Sequence, residues 1–275
     1  MTDIPRISGC LFDAARACLL ECDPAEKVRL TEEAAADWGA GRLRLGDGSE
    51  ISPVDEPGRP EQPELVHPRD LSRRTSAHAR GRVALIHAVA HIEFNAINLA
   101  WDAVQRFRGL PHAYYDDWVR VAAEEAYHFG LMRDRLEELS HCYGDFPAHD
   151  GLWDMARRTA HDVLVRMALV PRVMEARGLD VTPGMIARFR SAGDSETADR
   201  LAIILRDEVG HVAAGSRWFR HLCAERGLEA ETVYFELVDQ YLSGEIRCPL
   251  NREARLTAGF GEGELARLEE RCARR

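Results

Sequence analysis

Lysine is nearly missing from this chain: Lys27 stands alone against 35 arginines. With the high alanine content, this reads as a compositional bias rather than a functional signal. No CxxC pair occurs among the seven cysteines, so zinc-type spacing is excluded, and an odd count reads as reduced thiols in a cytoplasmic protein. An excess of positive charge is also lacking. The net charge of −10 argues against broad nucleic-acid binding, although it leaves a local basic patch open. The apolar run near the N-terminus is interrupted by Asp13 and Arg16, which fits neither a signal peptide nor a membrane span. No stretch of useful length alternates with period two, so a sheet is not expected. With 275 residues and 45% hydrophobic content, the chain can bury a sizeable core, and that core should be all-α.

Helix signals run in order along the chain. Leu11 to Cys22 is helical in pattern, and a second helix is expected from Ala25 to about Trp38, with Pro24 at its start and Gly39 at its stop. Cys18 and Cys22 share a face there and read as buried small residues rather than ligands. From Gly46 to Pro68 the texture changes, and five prolines rule out regular helix. This is an extended arm, stiffened by proline and expected to wrap over the helical domain on its C-terminal side. Helix A is predicted from about Ser76 to Phe107 and helix B from about Tyr114 to Cys142. Helix C starts near Leu152 and carries Leu164, Ala168, Pro171 and Glu175 along one stripe. Helix D spans about Ser195 to Arg226, and a helix from Glu229 to Ser243 precedes a tail. The expected organisation is an N-terminal helical segment (1–45), the arm (46–75), a metal-binding bundle (76–226), and a C-terminal helix with its tail (227–275).

The chemistry gathers on helices A to D. Glu125 and His128 are three residues apart, about 60° of turn and about 4.5 Å of rise on a helix, so they can grip one metal. Their face is otherwise apolar: Trp118, Val121, Ala122, Phe129, Met132 and Leu136. Glu208 and His211 repeat the pair on helix D. Glu93 sits in the stripe Ile86, Ala90, Ile97, Ala100, Val104 of helix A. Four Glu-x-x-His pairs occur, but Glu64/His67 lies among prolines and Glu138 is turned roughly 220° from Glu125. Phase therefore keeps two pairs.

The full set is Glu93, Glu125, His128, Glu175, Glu208 and His211, the ligands expected of a carboxylate-bridged two-metal site in a four-helix bundle. Its spacing is nearly duplicated: Glu93 to Glu175 is 82 residues, and Glu125 to Glu208 and His128 to His211 are each 83. Four carboxylates and two neutral imidazoles also balance two divalent cations. Gly178, Pro183 and Gly184 soon after Glu175 point to a broken helix, with 183–191 continuing beyond a kink. Glu124 and Asp207 precede the retained pairs and could orient His211 and His128 across helices, although a solvated surface reading serves Glu124 as well. His87 and His91 point away from Glu93 and read as packing or hydrogen-bonding residues. Tyr127 is near the ligands in sequence only. Trp101, Trp118, Phe129 and Met167 are candidates for an apolar pocket.

The segments PGRPEQPELV, HAVAHIEFNAINLAWDA, VAAEEAYHFGLM, MEARGLDVTPGM, ILRDEVGHVAAG and PLNREARLTAGF resemble a ferritin-like family of unknown function, domain-of-unknown-function family 455. The resemblance covers nearly the whole chain. It implies a ferritin-like four-helix bundle, and its metal-ligand positions match the six residues above. The family is distantly similar to di-iron tRNA hydroxylases. The leading expectation is an O₂-activating oxidoreductase holding two irons, or a manganese–iron pair. It would act on a small-molecule or modified-nucleoside substrate with an external electron donor and no membrane partner. The alternatives are an iron-handling protein (ferroxidase or peroxide-consuming) and a metal-free helical scaffold.

Overall fold

Asp23 shows how locally this sequence sets its helices. Its carboxylate accepts from the backbone N–H groups of Ala25 and Glu26 at 2.9 Å each, and Pro24 occupies a first-turn position where no N–H is needed. The computed structural model describes residues 9–46, 54–71, 78–242 and 246–273. Among them the chain is helical, and the β-type pairings are two isolated bridges, Cys10 with Arg44 and Leu65 with Ala148. The protein is all-α. It divides into two units, residues 1–153 and 154–275.

The first unit is built on a hairpin of α3 (Ala79–Arg106) and α4 (His112–Glu138), with α1 (Leu11–Leu20) and α2 (Pro24–Gly39) packed against it. The predicted start of helix A at Ser76 lies outside the described residues. In the hairpin turn, Gly109 takes a positive φ of 75°, a conformation a side chain would strain. Every apolar position that sequence phase assigned to the inner faces of α3 and α4 is buried. Fully burying a large apolar side chain stabilises by about 1.5–3 kcal/mol, so this stripe fixes the register of the pair.

Lys27, with no exposed surface, ties three elements together. Its Nζ donates to Cys18 O at 2.7 Å and Leu19 O at 3.1 Å at the end of α1, and to Asn98 Oδ1 on α3 at 2.8 Å. Burial without a carboxylate partner lowers its pKa to about 7. Cys18 is buried as expected, whereas Cys22, just beyond the end of α1, is exposed.

The arm is extended over 54–67 and closes with a short 3-10 turn, Pro68–Asp70. It docks through backbone groups: Arg106 Nη2 donates to Val54 O at 2.6 Å, Trp153 Nε1 to Asp55 O at 2.8 Å, and Gly58 N to Leu19 O at 2.9 Å. Gly58 meets the Leu20 carbonyl where a Cβ would not fit.

The second unit corrects the single helix C. Helix α5 (Gly151–Arg158) stops at Thr159, and α6 (Val163–Leu169) restarts with Asp162 accepting from Leu164 N at 2.8 Å. The buried Arg166 bridges the break, donating to Thr159 Oγ1 at 2.8 Å and Ala156 O at 2.6 Å. The kink is corrected too. The irregular backbone precedes Glu175: Val170–Glu175 is a π-helical turn, and α7 (Ala176–Ser191) runs unbroken through Pro183. Pro171 has no N–H for an ordinary turn, so the backbone widens there. Gly215 of α8 (Ser195–Glu225) lets the Pro171 ring approach. Pro183 likewise cannot bond Leu179 O, and Asn251 Nδ2 donates to that carbonyl at 3.1 Å instead.

Beyond α9 (Ala230–Leu242), the region read as a tail contains two more helices, α10 (Arg252–Thr257) and α11 (Glu262–Ala273). The expectation of seven reduced thiols fails here, because Cys248 and Cys272 form a disulfide with Cα atoms 5.9 Å apart. Helix α3 is long and apolar enough to cross a membrane by composition. The 18-residue window that meets this test is 78% buried within the chain, which explains its composition without a bilayer.

Candidate metal centre

In the first unit, Glu93 of α3 and Glu125 and His128 of α4 converge. Each is almost wholly buried, and each offers a ligand atom within 4.8 Å of the others. His128 Nδ1 lies 3.3 Å from Glu125 Oε2 and 3.6 Å from Glu93 Oε2. The i, i+3 spacing aims Glu125 and His128 along one face, and the antiparallel hairpin brings Glu93 opposite.

Electrostatics makes this cluster expensive as it stands. Burial, followed by the neighbouring Glu125 charge, pushes the Glu93 carboxyl well above its ordinary range. Burial opposes charging His128, but Glu125 and Glu93 outweigh it and raise the imidazole to about 11. Glu93 Oε2 is buried with no hydrogen-bond partner among the described residues. Two carboxylates crowded against one imidazole in an apolar stripe call for positive charge, and oxygen with imidazole nitrogen is a donor set that suits iron, manganese or zinc. A divalent cation fits these residues.

In the second unit, Glu208 and His211 of α8 form the matching pair, with His211 Nδ1 3.6 Å from Glu208 Oε2. Glu175 is the last residue of the π-helical turn, where α7 begins. All three are buried. Glu124 and Asp207 are each engaged by an arginine of their own helix: Arg120 Nη1 donates to Glu124 at 2.8 Å and Arg206 Nε to Asp207 at 2.8 Å.

The residues set aside by phase are elsewhere. Glu138 pairs with Arg135 at 2.8 Å and His141 with Asp145 at 3.0 Å, while Glu64 and His67 lie in the arm. His87 Nε2 accepts from Gly144 N at 2.9 Å, and His91 bonds the Tyr143 hydroxyl at 2.9 Å, so both are hydrogen-bonding residues as expected. The Tyr127 side chain is exposed. Trp101 directs its indole N–H to Thr31 Oγ1 at 2.9 Å. A cavity of about 360 Å³ in the first unit is walled by the arm with His91, Phe94 and Tyr143, and Trp101, Trp118 and Phe129 do not line it.

Sequence reasoning missed Arg172, one turn before Glu175. It is fully buried, pairs with Glu264 at 2.7 Å, and lies 4.4 to 4.9 Å from the ring centres of Phe219, Tyr234 and Phe260. The available signal was Arg172 as the one charged residue in the run 167–174 ahead of Glu175.

An all-α protein with a buried carboxylate–histidine cluster is thus the class that fold and site define. The chain belongs to the family described as protein of unknown function (DUF455), whose model matches residues 20–266. It is 44% identical over 264 residues to an uncharacterized protein of Haemophilus influenzae, covering 92% of each chain. No solved structure matches.

Proposed function

We propose that this chain is a carboxylate-bridged dinuclear metal oxidoreductase of ferritin-like type. Glu93, Glu125, His128, Glu175, Glu208 and His211 would hold two divalent ions, iron or a manganese–iron pair. The observation that carries the reading is the Glu93–Glu125–His128 cluster: three buried groups with potential ligand atoms within 4.8 Å of one another, one Glu93 oxygen having no hydrogen-bond partner among the described residues. The repeated spacing of the second Glu-x-x-His pair supports a second ion of the same kind. Two reduced irons bound there would supply electrons to O₂ for oxidation or hydroxylation of a small-molecule or modified-nucleoside substrate, with an electron donor restoring them.

The chain's own residues have separable tasks in this reading. His128 and His211 would bind the ions as neutral imidazoles. The four glutamates would neutralise the charge of the ions. The apolar faces around them exclude bulk water, which strengthens every charge interaction inside.

The test is metal analysis of protein purified without added metal, followed by anaerobic reduction and exposure to O₂. About two ions per chain, with stoichiometric O₂ uptake, is the expected result. Turnover of many Fe²⁺ per chain into ferric mineral would move the reading to iron handling. No bound metal, with full stability of a Glu125→Ala/Glu208→Ala variant, would leave only the scaffold.

A further inference from the structure

The C-terminal segment 246–273 grips the stretch of chain that carries Glu175; Arg177 Nη1 donates to Arg247 O at 3.1 Å just ahead of the disulfide, and the buried grips lie between its two cysteines. Arg172 Nη2 donates to Glu264 Oε1 at 2.7 Å, while Glu264 Oε2 accepts from Gly261 N at 2.7 Å. The Arg172 Nε and Nη1 groups have no hydrogen-bond acceptor among the described residues, and the guanidinium is enclosed by the Phe219, Tyr234 and Phe260 rings. On the other side of Glu175, the fully buried Asp180 carboxylate accepts from Asn251 N at 2.8 Å. It also accepts from Arg255 Nε at 2.9 Å and Nη2 at 2.8 Å. Asn251 Nδ2 holds the Leu179 carbonyl that Pro183 leaves open. Glu175 therefore stands between two anchored points; Arg177 of α7 lies 3.6 Å from Asp180, but the hydrogen bonds to Arg172 and Asp180 described above come from the C-terminal segment.

Asn251, Arg255 and Glu264 all fall inside the loop closed by Cys248 and Cys272, 24 residues apart. A cross-link stabilises such a loop mainly by restricting its open states. A π-helical turn is a rare conformation inside an α-helical run, and here outside contacts hold the chain on both sides of Glu175.

We infer that segment 246–273 is a redox-locked positioning clamp for the Glu175 turn, with the Cys248–Cys272 disulfide as the lock. A dithiol reductant opens it: the S–S bond breaks, each sulfur takes up one electron and one proton, and the reductant is oxidised to its own disulfide. Arg172 and Asp180 are positioning residues in this device. The inference rests on the ligand role proposed for Glu175.

The test is backbone hydrogen exchange on the metal-free full chain, with and without dithiothreitol, alongside thiol titration under denaturing conditions. Five free thiols are expected before reduction and seven after it. Reduction should speed exchange about a hundredfold over 246–273, and about tenfold over 170–180, with α3 and α4 unchanged. A Cys248→Ser/Cys272→Ser variant should exchange fast in both conditions. Seven thiols before reduction, loosening confined to 246–273, or loosening spread over the whole chain would each overturn the clamp. On metal-loaded protein, reduction should also speed release to a chelator severalfold, and an unchanged release rate would overturn the positioning role. If the chain takes up no metal, the dinuclear reading fails by itself, and the exchange result still decides the mechanical coupling.

Discussion

The two units carry the same Glu-x-x-His spacing and hold it by different means. In the first, Glu93, Glu125 and His128 sit on two long regular helices whose own apolar stripes set their phase. In the second, α8 is equally regular, but Glu175 ends a π-helical turn gripped from outside by Arg172–Glu264 and by Asp180 with Asn251 and Arg255. The difference teaches that the spacing of the proposed ligands and the support of their backbone are separable. A repeated pattern fixes which residues point inward. It does not say whether the backbone holds them alone or leans on a distant segment.

That comparison can be broken most sharply at Arg172. Truncating Arg172→Ala leaves Glu264 buried without its partner and should cost about 3–5 kcal/mol, read as a fall in the urea midpoint. A loss below about 1 kcal/mol, the size of an exposed ion pair, would show that the Arg172–Glu264 contact does not brace the second unit.

Lys27 offers the counterpart in the first unit. Replacing it, Lys27→Met, leaves Cys18 O and Asn98 Oδ1 without their donor and should cost about 2 kcal/mol near pH 10. The sign of its pH dependence comes from the folded pKa of about 7 against an ordinary 10.5. Between these values the unfolded chain binds the extra proton, so wild-type stability falls as pH drops from about 10 to 7. Denaturation curves across that window should show the gap between wild type and Lys27→Met closing toward pH 7, and a constant gap would contradict the burial argument.

Glu93→Gln should separate stability from binding. Metal affinity, measured by competition with a chelator, should fall at least about tenfold. The metal-free protein should move the other way. A carboxyl whose folded pKa is raised loses stability as pH rises through that value, and glutamine has no such loss. The variant's advantage should therefore widen with rising pH.

The smallest effect is expected at Asn251. Asn251→Ala frees the Leu179 carbonyl and removes the α10 cap, which together should cost about 1–1.5 kcal/mol. In a Pro183→Ala background, α7 supplies its own N–H to that carbonyl, and part of the cost should vanish. Additive effects in this double-mutant cycle would show that the contact does not compensate for proline.

The regular parts of the fold were legible because their signals are local. Asp194 caps α8 at Thr197 N, and Gly227, with a positive φ of 65°, lies just past its end. The sequence places that helix within one residue of its observed bounds. Helix C was misread because Thr159 to Asp162 carries no proline or glycine, and the break becomes stable only when Arg166 bonds back across it. The helices α10 and α11 were overlooked because they are short and polar, even though Asn251 caps α10 by accepting from Ala254 N at 3.2 Å.

By itself the sequence determined the all-α class, the phase of α3, α4 and α8, and the six Glu and His residues that prove to be buried and are proposed as ligands. These rest on spacings of three and four residues, which a helix converts directly into a shared face. Tertiary structure alone decided how Pro183 is accommodated and what braces Glu175. The partners in those contacts stand 71 to 92 residues apart in the chain. No local period encodes such a pairing, because its stability exists only once both buried faces have closed around it.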